Sequence, residues 1–147
     1  AMLGHQTMAP FARGPFLDRS GARSATTRIV EHFDVRTPGI DTSARALSGG
    51  NQQKLVIGRE MAASPRLLVA AHPTRGIDVG AQASVWADLR AARREGLAML
   101  LVSADLEELI GLADRLVVML RGRVVAELDP ATTTPRILGG YMTGADE

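Results

Sequence analysis

Cysteine is absent from the 147 residues, which removes disulfide frameworks and thiolate metal sites and fits a reducing compartment. An excess of one charge is missing too. The formal net charge is +1, so the chain as a whole makes no case for nucleic acid or an anionic membrane surface as partner. Long hydrophobic runs are lacking: Leu97 to Val102 and Leu116 to Leu120 are far too short to cross a bilayer. Ala1 to Pro10 has neither the basic start nor the sustained apolar stretch of a signal peptide. Lysine is nearly absent, Lys54 being the only one. There is no internal repeat and no low-complexity segment. What remains, 46% hydrophobic and 22% charged, is ordinary for a globular chain with room for one modest domain.

Residues 1–17 are rich in Gly, Pro and Met without a clear period and read as irregular. Asp18 or Ser20 can cap a helix to about Phe33, with Ala22, Ala25, Ile29 and Phe33 on one face. Asp34 to Ala46 reads as a loop around Pro38-Gly39. A helix follows from about Gly50 to Ala63 and stops at Ser64-Pro65. Leu67 to Ala71 is a continuous apolar run, as expected of a strand buried on both faces of a parallel sheet. Val79 to Arg94 has helical spacing through Val85, Trp86, Leu89 and Ala92. Leu97 to Ser103 reads as a second buried strand, Asp105 to Ala113 as a short helix and Arg115 to Leu120 as a third strand. Arg121-Gly122 turns the chain into Arg123 to Leu128, an antiparallel hairpin. Thr132 to Met142 reads as a terminal helix interrupted at Gly139-Gly140. Alternating strands and helices argue an α/β fold with parallel strands.

Two motifs carry chemistry. Leu47-Ser48-Gly49-Gly50-Asn51-Gln52-Gln53-Lys54 is a glycine turn opening a helix, so unpaired backbone N–H groups and the positive helix end face outward. Two adjacent glycines allow close approach, the Ser48 hydroxyl and Asn51 amide add donors, and the whole is suited to a phosphate. A Ser-capped helix after a glycine turn reads the same residues without a ligand. Downstream, Pro73-Thr74-Arg75-Gly76-Ile77-Asp78 is a polar loop after an apolar strand, in which Asp78 can cap the next helix.

Together these residues resemble the signature loop and D-loop of an ATP-binding cassette (ABC) ATPase, in the form found in ATPase subunits of bacterial sugar and nucleoside importers. The similarity runs from about Asp34 to Asp129, and Ala1 to Phe33 resembles the family's helical subdomain more loosely. Ala70-Ala71-His72-Pro73 looks like the second cassette of chains in which two are fused. The resemblance implies a partial P-loop NTPase fold without the Walker A strand, with a helical subdomain remnant at 1–65, a partial nucleotide-binding core at 66–147 and a C-terminal β-hairpin.

A Walker A loop needs Gly-x-x-x-x-Gly-Lys-Ser/Thr, because its lysine neutralises phosphate charge while loop amides wrap it. The only lysine, Lys54, sits between Gln53 and Leu55, so the pattern is missing and the chain looks like a C-terminal piece of a cassette. Where the family has an Asp that organises Mg²⁺ and a Glu that polarises water, Ala71 and His72 stand. A methyl group cannot organise a hard cation. Ala104 occupies the switch-loop position where many members have a γ-phosphate-sensing His. By the resemblance no catalytic position is intact, whereas Ser48, Gly49, Gly50, Asn51 and Asp78 would act in trans on ATP held by a partner cassette. His72 can accept a proton near neutral pH; without the Asp, replacement in a retired site is its blander reading.

Other side chains read structurally. Arg90, Arg93 and Arg94 suit a helix C-terminus facing solvent, and Asp105, Glu107 and Glu108 an acidic first turn. His5 and His32 have no metal-ligand spacing, and Trp86 fits a core position better than an adenine stack. The resemblance thus implies one part of an importer ATPase on the cytoplasmic side of a bacterial plasma membrane. The intact transporter would hydrolyse ATP with Mg²⁺, while this chain alone would be inactive with neither bound. Its partners would be a second cassette, permease subunits and, indirectly, a solute-binding protein, with no nucleic acid. The alternatives are a nucleotide-independent permease-docking or regulatory module, or an ABC ATPase outside transport. An unpaired apolar edge on strand 97–103 implies self-association.

Overall fold

The structure, a computed structural model, describes residues 1–145. Residues 1–17 are more ordered than their composition predicts. Strands β1 (Ala12–Arg13) and β2 (Phe16–Leu17) form a minimal antiparallel hairpin beside the buried Phe11. Helix α1 (Arg19–His32) starts at Asp18, whose carboxylate accepts from the Gly21 N–H at 2.8 Å and the Ser20 hydroxyl at 2.7 Å. Those bonds, the Gly21 N–H first, hold the Asp18 carboxyl below its ordinary range. A 3-10 turn at Ala44–Ala46 leads to helix α2 (Gly49–Ala62), which ends at Ser64 in a left-handed conformation before Pro65.

Strand β3 (Leu67–Ala71), helix α3 (Val79–Arg94) and strand β4 (Ala98–Val102) form the parallel unit, with Leu67 opposite Ala98 and Ala71 opposite Val102. Helix α4 (Leu106–Leu112) follows, then strands β5 (Leu116–Leu120) and β6 (Arg123–Leu128). Arg121 and Gly122 both have positive φ, 50° and 78°, the backbone a two-residue hairpin turn requires. Helix α5 (Pro135–Thr143) runs unbroken through Gly139-Gly140, contrary to the sequence expectation. It is capped by Thr134, opens on Pro135 and stops at Gly144 with φ 76°.

Two clusters hold the chain together. Ile29, Phe33 and Val35 meet Ile57 of α2, Leu68 of β3, Val85 and Leu89 of α3 and Leu112 of α4. The second joins Leu116 and Val118 of β5 to Leu138 of α5. Helices α1 and α2 approach closely at Gly58, where a Cβ would lie 2.6 Å from a Phe33 ring carbon and 2.8 Å from Ile29 Cγ2.

Two sequence expectations need correction. Strands β3 and β4 are not buried on both faces: Leu68, Met99 and Leu101 turn to the core, whereas Leu67, Val69, Leu100 and Val102 are exposed on the other side. Among the described residues no layer covers that second face. Nor does the third strand extend the parallel pair, because the tight turn zips β6 onto β5 and α5 packs on the result.

Asp88 on α3 carries a packing liability. Its Oδ2 is the one buried side-chain polar atom without a hydrogen-bond partner among the described residues. Burial pushes its carboxyl up, against the opposing pull of His32 and Lys54. A carboxyl whose pKa rises on folding binds its proton more tightly in the folded state, so stability falls as pH rises from the unfolded value through the folded one. Asp88→Asn keeps the shape and removes the charge. Denaturant titrations from roughly pH 4 to 7 should show it flattening that decline and stabilising the chain by on the order of 1 kcal/mol near neutrality.

Candidate functional site

Ser48 has extended backbone and precedes α2, and the first intrahelical bond is Gln52 N–H to Ser48 O at 2.9 Å. The N–H groups of Gly49, Gly50 and Asn51 therefore have no intrahelical acceptor. Side chains stitch the turn from behind. Asn51 Nδ2 donates to Ser48 Oγ at 2.9 Å, Asn51 Oδ1 accepts from the Arg36 N–H at 2.8 Å, and Gln52 Nε2 donates to Leu47 O at 2.8 Å. Accepting from Asn51 leaves the Ser48 hydroxyl its proton to donate. Ser48 and Gly49 are exposed and Gly50 is buried.

The Pro73–Asp78 loop lies against this turn. Asp78 caps α3, accepting from the Ala81 N–H at 2.9 Å, and chiefly that bond holds its carboxyl below the ordinary range. A Cβ on Gly50 would sit 2.7 Å from Ala81 Cβ and 3.6 Å from Asp78 Oδ2. One on Gly49 would meet only Gly76 O, at 3.6 Å. Packing against α3 thus explains the glycine at 50 but not the one at 49, whose bare backbone is open to a close approach from outside. Ser48, Gly49, Gly50, Asn51 and Asp78 fall on one joined surface.

The positions where the resemblance expects catalytic residues gather elsewhere. His72 and Ala104 line an open pocket with Thr74, Arg75, Ser103, Asp105 and Glu108 at the C-terminal ends of β3 and β4. Ala71 ends β3, and the His72 N–H continues the pairing to Val102 O at 2.8 Å. His72 itself has φ 49°, a left-handed conformation uncommon outside glycine. The carboxylates here have other work. Asp105 Oδ1 accepts from the N–H groups of Glu107 and Glu108, both at 3.0 Å. Glu108 Oε1 accepts from Thr74 Oγ1 at 2.6 Å and Trp86 Nε1 at 3.3 Å. No cluster of three acidic or His side chains able to hold a metal occurs among the described residues. With Ala71 and Ala104 in place, these residues do not fit a hard divalent cation.

Sequence reasoning missed several placements. Glu108 lies in the acidic first turn as expected, but it is 1% exposed, and only its position four residues before buried Leu112 hints at that. Trp86 packs against the main core as expected, and its N–H also donates to Glu108. Arg90 and Arg93 do not simply face water. They donate to the carbonyls of Gly111 and Leu112 at the end of α4, and Arg90 also lies 5.6 Å over the Trp86 ring. Lys54 is buried, its ammonium 3.3 Å from Asp34 O.

No protein-family model matches the chain. It is 50% identical over 119 residues to the guanosine import ATP-binding protein NupO of Bacillus subtilis, covering 81% of this chain and 23% of that protein. It is 40% identical over 144 residues to the ribose import ATP-binding protein RbsA of Yersinia pestis, covering 96% and 28%. The chain therefore spans about a quarter of the length of these relatives. Among solved structures, a metal-chelate type ABC transporter in an inward-facing conformation aligns with a TM-score of 0.74 over 97% of this chain and 56% of that one, at 16% identity. The ATP-binding cassette MJ0796, in a dimeric post-hydrolysis state bound to ADP and Pi, aligns with a TM-score of 0.68 over 81% and 51%, at 20% identity. The chain has the fold of part of an ABC ATPase cassette.

Proposed function

We propose that this chain is part of the second, degenerate nucleotide-binding domain of an ABC importer for a simple sugar or nucleoside, and that it completes an ATP site whose phosphates another cassette holds. The observation carrying this reading is Gly49: exposed, unexplained by packing, and set between a Ser48 hydroxyl and a helix start with uncommitted N–H groups. The relatives named for guanosine and ribose import support the transport assignment. The cassette MJ0796, of similar fold, is dimeric and bound to ADP and Pi, which agrees with a second cassette as partner.

In this arrangement the Ser48 hydroxyl and the N–H groups of Gly49 and Gly50 donate to the γ-phosphate, with Asn51 bracing the turn. Asp78 lies beside them as an ionised acceptor, placed to orient water at the partner's site. ATP bound to the partner supplies the phosphoryl chemistry. The pocket at His72 and Ala104 has alanine at the metal-organising position, Ala71, and in this reading holds no nucleotide. The chain would sit on the cytoplasmic face of a bacterial membrane beneath permease subunits, with a solute-binding protein acting from the far side. Among the described residues no helix is long and apolar enough to cross the membrane itself.

The test is ATP hydrolysis by the assembled transporter carrying this segment with Ser48→Arg or with His72→Ala. The first should abolish most activity and the second should leave it within about twofold. Equal activity in both would favour a nucleotide-independent docking or regulatory module.

The exposed apolar face of β3 and β4 also predicts self-association of the isolated chain. Sedimentation should show the weight-average mass rising with concentration, and Val69→Lys should suppress the rise. A strictly monomeric species at high concentration would contradict it.

A further inference from the structure

Burying a carboxylate is expensive, and a leucine would fill the place of Glu108 without that cost. Glu108 nevertheless lies 1% exposed beneath the Pro73–Asp78 loop, with Thr74, itself buried, donating to its Oε1 at 2.6 Å. Trp86 of α3 donates to the same oxygen at 3.3 Å. One carboxylate thus ties together the loop that ends in Asp78, the helix that Asp78 caps and the helix that follows Ser103–Asp105. A weaker tie runs parallel to it, Gln82 Nε2 to Asp105 Oδ2 at 3.5 Å.

Thr74 is the pivot of its loop. The Arg75 N–H bonds back to His72 O at 3.2 Å and the Ile77 N–H to Thr74 O at 3.4 Å, so Thr74 lies inside one turn and opens the next. Gly76 then crosses φ 77°, where little else restrains the chain, and its carbonyl faces Gly49. Without an anchor at Thr74, the segment touching the signature turn would rest on those two bonds, the packing of Ile77 against the main core and the Asp78 cap.

We propose that Glu108 is a positioning residue: through Thr74 it fixes the Pro73–Asp78 loop against the Ser48–Asn51 turn, and through Trp86 it sets α3 to the same register. Resting on the reading that this turn covers a partner's γ-phosphate, the carboxylate governs how quickly that ATP is hydrolysed and not how tightly it is held.

Hydrogen exchange and steady-state kinetics on the assembled transporter test this together, using Thr74→Val, Thr74→Ser, Glu108→Leu and Glu108→Gln. Thr74→Val removes only the hydroxyl and leaves Glu108 bonded to Trp86, so it remains informative if Glu108→Leu misfolds. Amides of 76–81 should exchange about tenfold faster in Thr74→Val and Glu108→Leu. In both, kcat should fall about tenfold with KM for ATP unchanged. Thr74→Ser and Glu108→Gln retain a donor and an acceptor and should restore both readouts. Unchanged exchange in Thr74→Val overturns the proposal, as does unchanged kcat in a transporter that Ser48→Arg inactivates. Full activity in Ser48→Arg strikes instead at the shared ATP site, while the exchange result still decides whether Glu108 anchors the loop.

Discussion

Ser48→Arg should lower ATP hydrolysis by the assembled transporter about a hundredfold, the loss typical of removing one preorganised donor from an anionic transition state. The substitution acts in two ways. It deletes the hydroxyl whose proton the Asn51 bond leaves available. It also places a long side chain on an exposed turn beside Gly49, where only a bare backbone admits a phosphate. The added positive charge does not rescue binding, because a guanidinium reaching past the turn holds the phosphate away from the N–H groups of Gly49 and Gly50. Folding should be intact, since position 48 is exposed and its side chain makes no capping bond. Circular dichroism and the thermal midpoint should therefore match the parent while kcat collapses.

Gly58→Val carries the largest expected stability effect. Even a bare Cβ would meet the Phe33 ring at 2.6 Å and Ile29 Cγ2 at 2.8 Å, both in the main core. Replacing glycine in a helix recovers up to about 1 kcal/mol of propensity with alanine and less with valine. Overpacking costs about 1–3 kcal/mol, and valine adds two further methyls to a contact already too short. Propensity offsets only part of the clash in Gly58→Ala, which should lose about 1 kcal/mol, and less of it in Gly58→Val, which should lose about 3 kcal/mol in denaturant unfolding. A midpoint unchanged in Gly58→Val would show that α1 and α2 do not pack at this distance.

Local signals in the sequence locate the helices well. Asp18, Asp78 and Asp105 cap the helices they precede, and Ser64-Pro65 stops α2 where the chain chemistry requires, whereas the last helix starts at Thr134 and not at Thr132. The juxtaposition of the two motifs was legible only through family resemblance, because no periodicity relates Gly50 to Ala81. The uncovered face of β3 and β4 could not be read at all. A continuous apolar run such as Leu67 to Ala71 looks the same whether one face or both are covered, since coverage depends on what packs there. Glu108 was obscured for a related reason. An acidic residue in a first turn satisfies the helix dipole, and that sufficient local explanation hid a long-range one through Thr74, 34 residues away.

The absence of cysteine from this chain offers the most direct measurement. With Ser48→Cys as its single thiol, maleimide labelling at position 48 can be followed by mass spectrometry in the isolated chain and in the assembled transporter. A non-hydrolysable ATP analogue should slow labelling at least tenfold in the transporter and leave the isolated chain unaffected, because the nucleotide that covers Ser48 is held by another cassette. Labelling that is indifferent to nucleotide in the assembled transporter would contradict the shared ATP site. Protection of the isolated chain would contradict the assignment of that nucleotide to a partner.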